Sequence, residues 1–447
     1  MAGCLRFADF ELDLGAYALR GPDGAIKLEQ MPMDLLILLV QHAGELVVRD
    51  EIRSALWTDN VNVEYDSAIN TVVRKIRRAL GDDAGKPRFV ETVVGKGYRF
   101  IAPAETTAAA TATAVTAATR PVLPAAYDAY VRGRHAWNRR SEADLRDAIR
   151  WFQCSIDADP TYAPAYAGLA DAYAQVGYGS YVAPEESFAR ARAAATRALE
   201  LDTTLPEAHA ALGFTLMYYD WDFAGAELEY RRALTLNPHA ALAHQWYAYL
   251  LTAMERPAEE AEREIATAKR LDPLSPAILI DYAYILHYYR RNKEAVRAVQ
   301  LALEMNPTLP LAYFWLARIY TDEARYADAE RALRSIGTLR TWTPAMAVRG
   351  YLYGRTGRVE EARGVLAEFE ALIANGRYAS GYAVAVVHAG LGDRAAALSA
   401  LERAYGERSH WLVWLKRDPR WDEIRSDPRF CGLVDRVGLP THLLSRG

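Results

Sequence analysis

Six polar residues crowd one face of a helical pattern near residue 70, and their chemistry suits contact with an anionic polymer. In DSAINTVVRKIRRAL (66–80), the apolar residues Ile69, Val72, Val73, Ile76 and Leu80 recur at helical spacing and should face a core. Asn70, Thr71, Arg74, Lys75, Arg77 and Arg78 are left outward. Arg and Lys offer charged N–H donors to phosphate, while Asn and Thr offer donors and acceptors to base edges. Between Arg74 and Arg99 stand eight basic residues against three acids, a local balance of +5; residues 1–103 as a whole hold 13 basic and 15 acidic residues. The full 447-residue chain carries a formal net charge of −4, with 53 Lys+Arg against 57 Asp+Glu. Bulk charge therefore excludes wholesale coating of nucleic acid, and any binding must come from this local patch.

Other chemistries find little support. The nine histidines are scattered, and His239 and His244 are five apart, which puts them on different helix faces instead of at HExxH spacing. Cys4, Cys154 and Cys431 are far apart and form no CxxC pair, so neither a disulfide framework nor a zinc site is expected, and a reducing compartment fits. Paired carboxylates and an activated nucleophile are also missing. The expectation is a chain that is not an enzyme, with no metal and no cofactor.

A helix of this kind works only if other elements hold it. Short alternating runs at Leu5–Phe7, Phe10–Leu14 and Ile26–Leu28, with a Gly21-Pro22-Asp23-Gly24 turn, predict a small strand meander. Helices are predicted at Asp34–His42, Arg49–Trp57 and Asp66–Leu80, the last with Asp66 or Ser67 as N-cap. Arg88–Val94 and Tyr98–Ala102 alternate around Gly95-Lys96-Gly97, a hairpin signal. Trp57 and Tyr98 are assigned to the core. The two glycines are assigned to the turn, because no strand–GxGxxG–helix context surrounds them.

The segment NTVVRKIRRALGDDAGKPRFVETVVGKGYRFIAP resembles the C-terminal half of an OmpR/PhoB-type winged helix. Recognition helix, acidic turn, strand and GxGYRF wing follow in order, and the likeness extends back to about Leu5. The resemblance implies that helix 66–80 enters the major groove of double-stranded DNA, with base edges reached by Asn70, Thr71, Arg74 and Lys75. It implies further that Arg77, Arg78 and Arg99 hold phosphates and that Lys96 on the wing approaches the minor groove. Thr92 matches a wing-strand position that contacts DNA in relatives. The loop Thr58, Asp59, Asn60, Val61, Asn62, Val63, Glu64, Tyr65 matches one that touches RNA polymerase in this family. Val94 departs from the pattern, since several relatives carry arginine there.

Residues 104–125 (AETTAAATATAVTAATRPVLPA) are Ala/Thr-rich, with nothing to build a core, and read as a flexible linker, not a membrane span. The N-terminus does not read as a signal peptide, and a cytoplasmic location is expected. After the linker the chain turns helical and repeats. DADP (157–160), TLNP (235–238), RLDP (270–273) and EMNP (304–307) each close a helix, and Asp202-Thr203 marks a degenerate copy. Pro238, Pro273 and Pro307 lie 35 and 34 residues apart. Small residues at Ala283, Ala295 and Ala302 sit where paired helices must approach closely. Tyr166, Leu169, Ala170 and Tyr173 repeat this logic upstream, and Tyr313, Leu316, Ala317 and Tyr320 downstream. This pattern resembles the tetratricopeptide repeat (TPR) and implies roughly eight helix pairs over 126–408.

The tail 409–447, with its DPRW and DPRF elements, is expected to cap the stack, and Trp342, Trp411, Trp414 and Trp421 to anchor its end. Most of Tyr247, Tyr249, Tyr282, Tyr284, Tyr288 and Tyr289 should pack between helices, although tyrosines on the concave side could hold a peptide or small ligand. The fold class expected is multidomain: a small α+β winged helix at 1–103, then an all-α TPR solenoid. The residues ahead of the winged helix leave no room for a phosphoacceptor receiver in this sequence, so none is expected there and control is expected from the array. The arrangement resembles winged-helix/TPR transcriptional regulators of the CadC-like and HilA-like kind. Its expected partners are double-stranded DNA, RNA polymerase and an unidentified protein or small molecule on the array, with no membrane. The resemblance also implies dimerisation on direct-repeat half-sites. The alternative is a TPR scaffold whose winged helix does not read DNA.

Overall fold

The computed structural model describes residues 4–13, 18–22, 24–26, 28, 30–56, 65–93, 95–107, 122–273 and 275–440. These divide into two compact units, Met1–Tyr127 and Asp128–Gly447. Trp57, Val94 and residues 58–64 of the expected polymerase loop lie outside the described residues, as do 108–121 of the expected linker.

The N-terminal unit begins with strands β1 (Cys4–Phe7), β2 (Phe10–Asp13), β3 (Ala18–Gly21) and β4 (Gly24–Ile26). Helix α1 (Gln30–Gln41), strand β5 (Leu46–Val48), helix α2 (Arg49–Leu56) and helix α3 (Tyr65–Leu80) follow. Strands β6 (Val90–Val93), β7 (Gly97–Phe100) and β8 (Glu105–Thr107) complete it. One sheet runs β4-β3-β2-β1-β8 and the other β5-β7-β6. Between them, Leu12, Leu35, Leu36, Leu39, Ile52, Ile76 and Phe100 are fully buried.

Strand β8 corrects the expected linker, whose first residues are not free chain. They pair antiparallel with β1, from Arg6↔Glu105 to Cys4↔Thr107. The physical reason is an unpaired edge: β1 would otherwise present open N–H and C=O groups, and β-branched threonines suit a pleated partner.

The second unit is a helical array. Helix α4 (Pro124–Arg139) is followed by α5 (Glu142–Ala158), α6 (Ala163–Tyr178) by α7 (Pro184–Leu201), and α8 (Pro206–Thr215) by α9 (Phe223–Leu236). Then come α10 (Ala241–Ala253) with α11 (Ala258–Leu271), and α12 (Pro276–Tyr288) with α13 (Asn292–Met305). The series ends with α14 (Pro310–Asp322) and α15 (Tyr326–Arg334), α16 (Thr343–Arg355) and α17 (Val359–Ala374), and α18 (Gly381–Gly390) and α19 (Arg394–Gly406). From α6 to α18 each even-numbered helix also touches the next even-numbered one, which makes them the inner wall.

The repeated Asx-containing tetrapeptides explain where helices stop. Asp159, Asp202, Asn237 and Asn306 each leave helical geometry at the C-cap while donating a backbone N–H to the carbonyl four residues back. The side-chain oxygen of each then accepts the N–H two residues on, at Thr161, Thr204, His239 and Thr308. This Asx turn competes with helix continuation and swings the chain into the next repeat. The small residues fall where expected: Ala283, Ala295 and Ala302 are fully buried.

The tail corrects the sequence expectation. The array curls enough for the Trp342 indole N–H to reach the Gly179 carbonyl at 2.5 Å, and the chain after α19 runs along the inner wall instead of merely closing an end. Trp411 lies within 6.4 Å of the Tyr178 ring on α6 and 6.1 Å of the Tyr382 ring on α18. Trp414 stacks on Tyr288 at 4.7 Å and meets Tyr284 edge-on at 4.9 Å. Arg417 donates to the Thr252 carbonyl in the last turn of α10, a position short of intrahelical donors. Helix α20 (Pro428–Val437) ends the described tail. Tyr249, Tyr284 and Tyr288, among the tyrosines expected mostly to pack between helices, face the chain's own tryptophan. The reason is area: the even-numbered helices carry apolar residues on both sides, and their inner side needs a cover.

Candidate nucleic-acid interface

Helix α3 is amphipathic as its period dictates. Ile69, Val72, Val73, Ile76 and Leu80 are buried, while Asn70, Thr71, Arg74 and Arg78 are exposed and Lys75 and Arg77 lie half-buried. The helix ends at Gly81, whose φ of +61° is easy for glycine and strained for other residues. The Asp82 carboxylate then accepts three backbone N–H groups, from Arg88 (2.6 Å), Phe89 (3.3 Å) and Val90 (2.8 Å). That clamp aims β6 alongside α3.

Strands β6 and β7 form the wing hairpin, with Thr92 opposite Tyr98 and Val93 opposite Gly97. Gly97 is obligatory for a steric reason: a Cβ there would lie 2.1 Å from the Val47 carbonyl oxygen on β5. Lys96 is exposed at the turn, and its carbonyl accepts the Arg49 N–H at 3.0 Å. Among the described residues, the side chains of Arg78 and Lys96 make no ion pair.

The other expected contact residues are partly committed within the unit. Arg77 donates to the Val90 carbonyl at 2.7 Å and to the Thr92 hydroxyl at 2.9 Å, bracing α3 against β6. Arg99 pairs with Glu91 at 3.3 Å across the hairpin. Arg74 donates to Thr71 at 3.2 Å. The Asn70 side-chain oxygen accepts from the Tyr98 hydroxyl at 2.5 Å and from Arg49 at 3.3 Å. Arginine can only donate, so that oxygen must face Arg49, and the Asn70 amide N–H₂ is the end left for another partner. An Asn held this way cannot offer adenine the paired acceptor and donor of a bidentate contact. Tyr98 is buried as expected, but its hydroxyl is part of this network. Of the expected polymerase loop, Tyr65 begins α3.

Two residues escaped the sequence reading. Arg49 opens α2 and lays its guanidinium 5.4 Å from the Tyr98 ring centre, next to Asn70. In the sequence Asp82 shows only as part of the acidic turn. Arg49 has no helical or strand periodicity to mark it, whereas an Asp just after a helix-ending Gly is a visible turn signal.

The described surface therefore joins an exposed polar helix face to a wing, with cations on both. Residues 23–100 match the family model described as "Transcriptional regulatory protein, C terminal". The response regulator protein GraR of Staphylococcus haemolyticus is 34% identical over 94 residues, covering 21% of this chain and 41% of GraR. The transcriptional regulator HilA of Salmonella typhimurium is 26% identical over 168 residues, covering 38% of this chain and 30% of HilA. The chain thus matches about two-fifths or less of the length of these relatives. A solved tetratricopeptide repeat protein from Parabacteroides merdae shares 16% identity, with a TM-score of 0.39, over 59% of this chain and 99% of that one. No helix among the described residues is long and apolar enough to cross a membrane.

Proposed function

We propose that this chain is a DNA-binding transcriptional regulator, acting in the cytoplasm, whose winged helix at 1–103 reads duplex DNA under the control of the TPR array at 126–408. The observation that carries the reading is the exposed polar face of α3 beside the Lys96 wing in a chain that is acidic overall. Helix α3 enters the major groove, with Thr71, Arg74, Lys75 and the Asn70 amide toward base edges. Arg78, Lys96 and Arg49 hold phosphates, Thr92 lies at the wing's edge, and Arg77 and Arg99 position the wing. The loop at 58–65 is assigned to RNA polymerase on family likeness, and the array is assigned a ligand or protein partner.

Electrophoretic shift of the full chain on genomic fragments, followed by footprinting, tests this. Replacing Arg78 or Lys96 with alanine should lower the slope of log affinity against log salt by about 1 each and leave stability unchanged. Arg77→Met should weaken binding and also lower the unfolding midpoint, because it removes a brace. Affinity unaltered by the combined Arg74, Lys75, Arg77 and Arg78 alanine substitutions would sink the reading.

A further inference from the structure

Inside the array, a small cavity lies where three parts of the chain converge. Two of its walls are helix beginnings: Thr343 and Pro344 open α16, and Tyr382 lies in the first turn of α18. The third wall comes from the tail, with Trp411 and Arg420, and Arg318 of α14 closes the remaining side. About 20 Å³ is open to the centre of a water-sized sphere, room for one small occupant where a water needs ~10–15 Å³.

The chemistry of the lining is one-sided. Its charged residues are both cations, Arg318 and Arg420. Two carboxylates stand near these arginines, Asp418 and Asp322, but neither lines the cavity. Arg318 is 1% exposed; its Nη2 is used by Asp418 at 2.9 Å and the Tyr288 hydroxyl at 3.0 Å. Its Nε and Nη1 have no hydrogen-bond partner among the described residues, and the Thr343 hydroxyl, 6% exposed, has none either. Ser180, also in the lining, accepts the Trp411 indole N–H at 3.3 Å, so its own hydroxyl proton remains available.

Orphaned buried donors of this kind are costly, and their cost is relieved by an acceptor. Two helix N-termini add partial positive charge to the same space. An occupant that only accepts hydrogen bonds and carries negative charge answers every one of these features. A water could donate to the hydroxyl oxygens of Ser180, Ser380 or Thr343, but its dipole would offset the two buried cations less than a negative charge would.

We propose that this cavity is a binding site for a small monovalent anion, of halide to formate size, which pins the C-terminal tail to α14, α16 and α18. The anion accepts from Arg318 and Thr343 and lies beside Arg420 of the tail. Binding therefore stabilises the tail's seat on the inner wall by mass action. The site is independent of the DNA reading, since its signature is the array's own unfolding.

The test uses the full chain and follows helix loss by circular dichroism in sodium chloride, sodium formate and sodium gluconate at equal ionic strength, gluconate being too large for the cavity. Chloride or formate should raise the midpoint saturably by about 2 °C over gluconate, and ³⁵Cl resonance lines should broaden with the protein. Thr343→Val removes one acceptor-seeking hydroxyl, and Ala347→Val narrows the space; each should abolish most of the anion-dependent rise. Should Ala347→Val fold poorly, Thr343→Val carries the comparison alone. Equal midpoints in chloride, formate and gluconate overturn the site and leave a water as its occupant. An anion-dependent rise undiminished in the folded variants overturns it as a general salt effect.

Discussion

His410 sits 1% exposed, 5.3 Å from Tyr178 and 6.3 Å from Tyr218 by ring centres, and neither imidazole nitrogen has a hydrogen-bond partner among the described residues. Burial pushes its pKa down to about 3 from the ordinary 6.5, so the folded chain holds it neutral. An unfolded chain protonates the same ring below about pH 6.5. The stability this difference confers is therefore present above pH 6.5 and is lost as pH falls from 6.5 toward 3. At pH 5 the loss is about 2 kcal/mol, at ~1.4 kcal/mol per unit. His410→Phe suits the aromatic surroundings and should remove this loss, which urea unfolding at pH 7 and pH 5 would measure as the wild-type-minus-variant difference. An unchanged pH dependence in the variant would contradict it. Asp418 shows the opposite management of a buried charge. Burial alone would raise its carboxyl, but Arg318 and Arg420, with hydrogen bonds from Arg420 and Tyr382, hold it far below the ordinary carboxylate range. The sequence marks Asp418 only as part of the DPRW element and does not mark His410, because burial and most of the partners that cause these shifts come from distant segments.

Helices α16 and α18 meet through glycine. A Cβ on Gly354 would lie 2.4 Å from the Gly390 carbonyl carbon, and one on Gly390 would lie 2.6 Å from the Tyr351 carbonyl oxygen. Gly354→Ala should force the helices apart at a cost of about 1–3 kcal/mol, since rigid backbone, not a mobile side chain, blocks the methyl. Gly364 on α17 is the matching control: nothing lies within 4 Å of its would-be Cβ. Gly364→Ala should therefore stabilise, by about 0.5–1 kcal/mol, through helix propensity. Chemical denaturation of both variants decides whether sign follows local space. Some boundaries were legible, namely the Asx-Pro stops, the α3 face and the Gly95–Gly97 turn. By contrast, α1 opens at Gln30 instead of Asp34, the strand expected at Ile26–Leu28 lies at Gly24–Ile26, and β3 and β5 had no expected counterpart. Strand β8 was not legible, because an Ala/Thr run acquires strand structure only once β1 offers an edge.

Across the second unit, the tail acts as the inner wall's cover. Trp414, Leu415, Trp421 and Phe430 are all fully buried. At about 1.5–3 kcal/mol per large apolar side chain, four such residues represent roughly 6–12 kcal/mol. That is comparable with the whole stability of an ordinary domain, ~5–15 kcal/mol. A chain ending at residue 408 should therefore bind 1-anilinonaphthalene-8-sulfonate strongly and lose its cooperative thermal transition, with Tyr284 and Tyr288 newly exposed. A sharp, dye-negative transition in that truncation would show the tail to be dispensable.

By itself the sequence determined what local periodicity can encode: a two-part α+β and all-α chain, a helix at 66–80 with its polar face outward, and a repeat near 34 residues with its stops. Helix amphipathicity, turn chemistry and charge segregation act over a few residues, so they are written in consecutive letters. The tertiary structure decided which polar groups on that face remain available. Asn70 is held by Tyr98 and Arg49, and Arg77 is spent on β6, through partners 13 to 28 residues away. It also decided that the tryptophans of 411–421 line the inside of the array, where they meet tyrosines more than 100 residues earlier in the chain. Such pairings follow from the curvature of stacked helices and the need to cover their inner apolar side, and no local spacing carries that information.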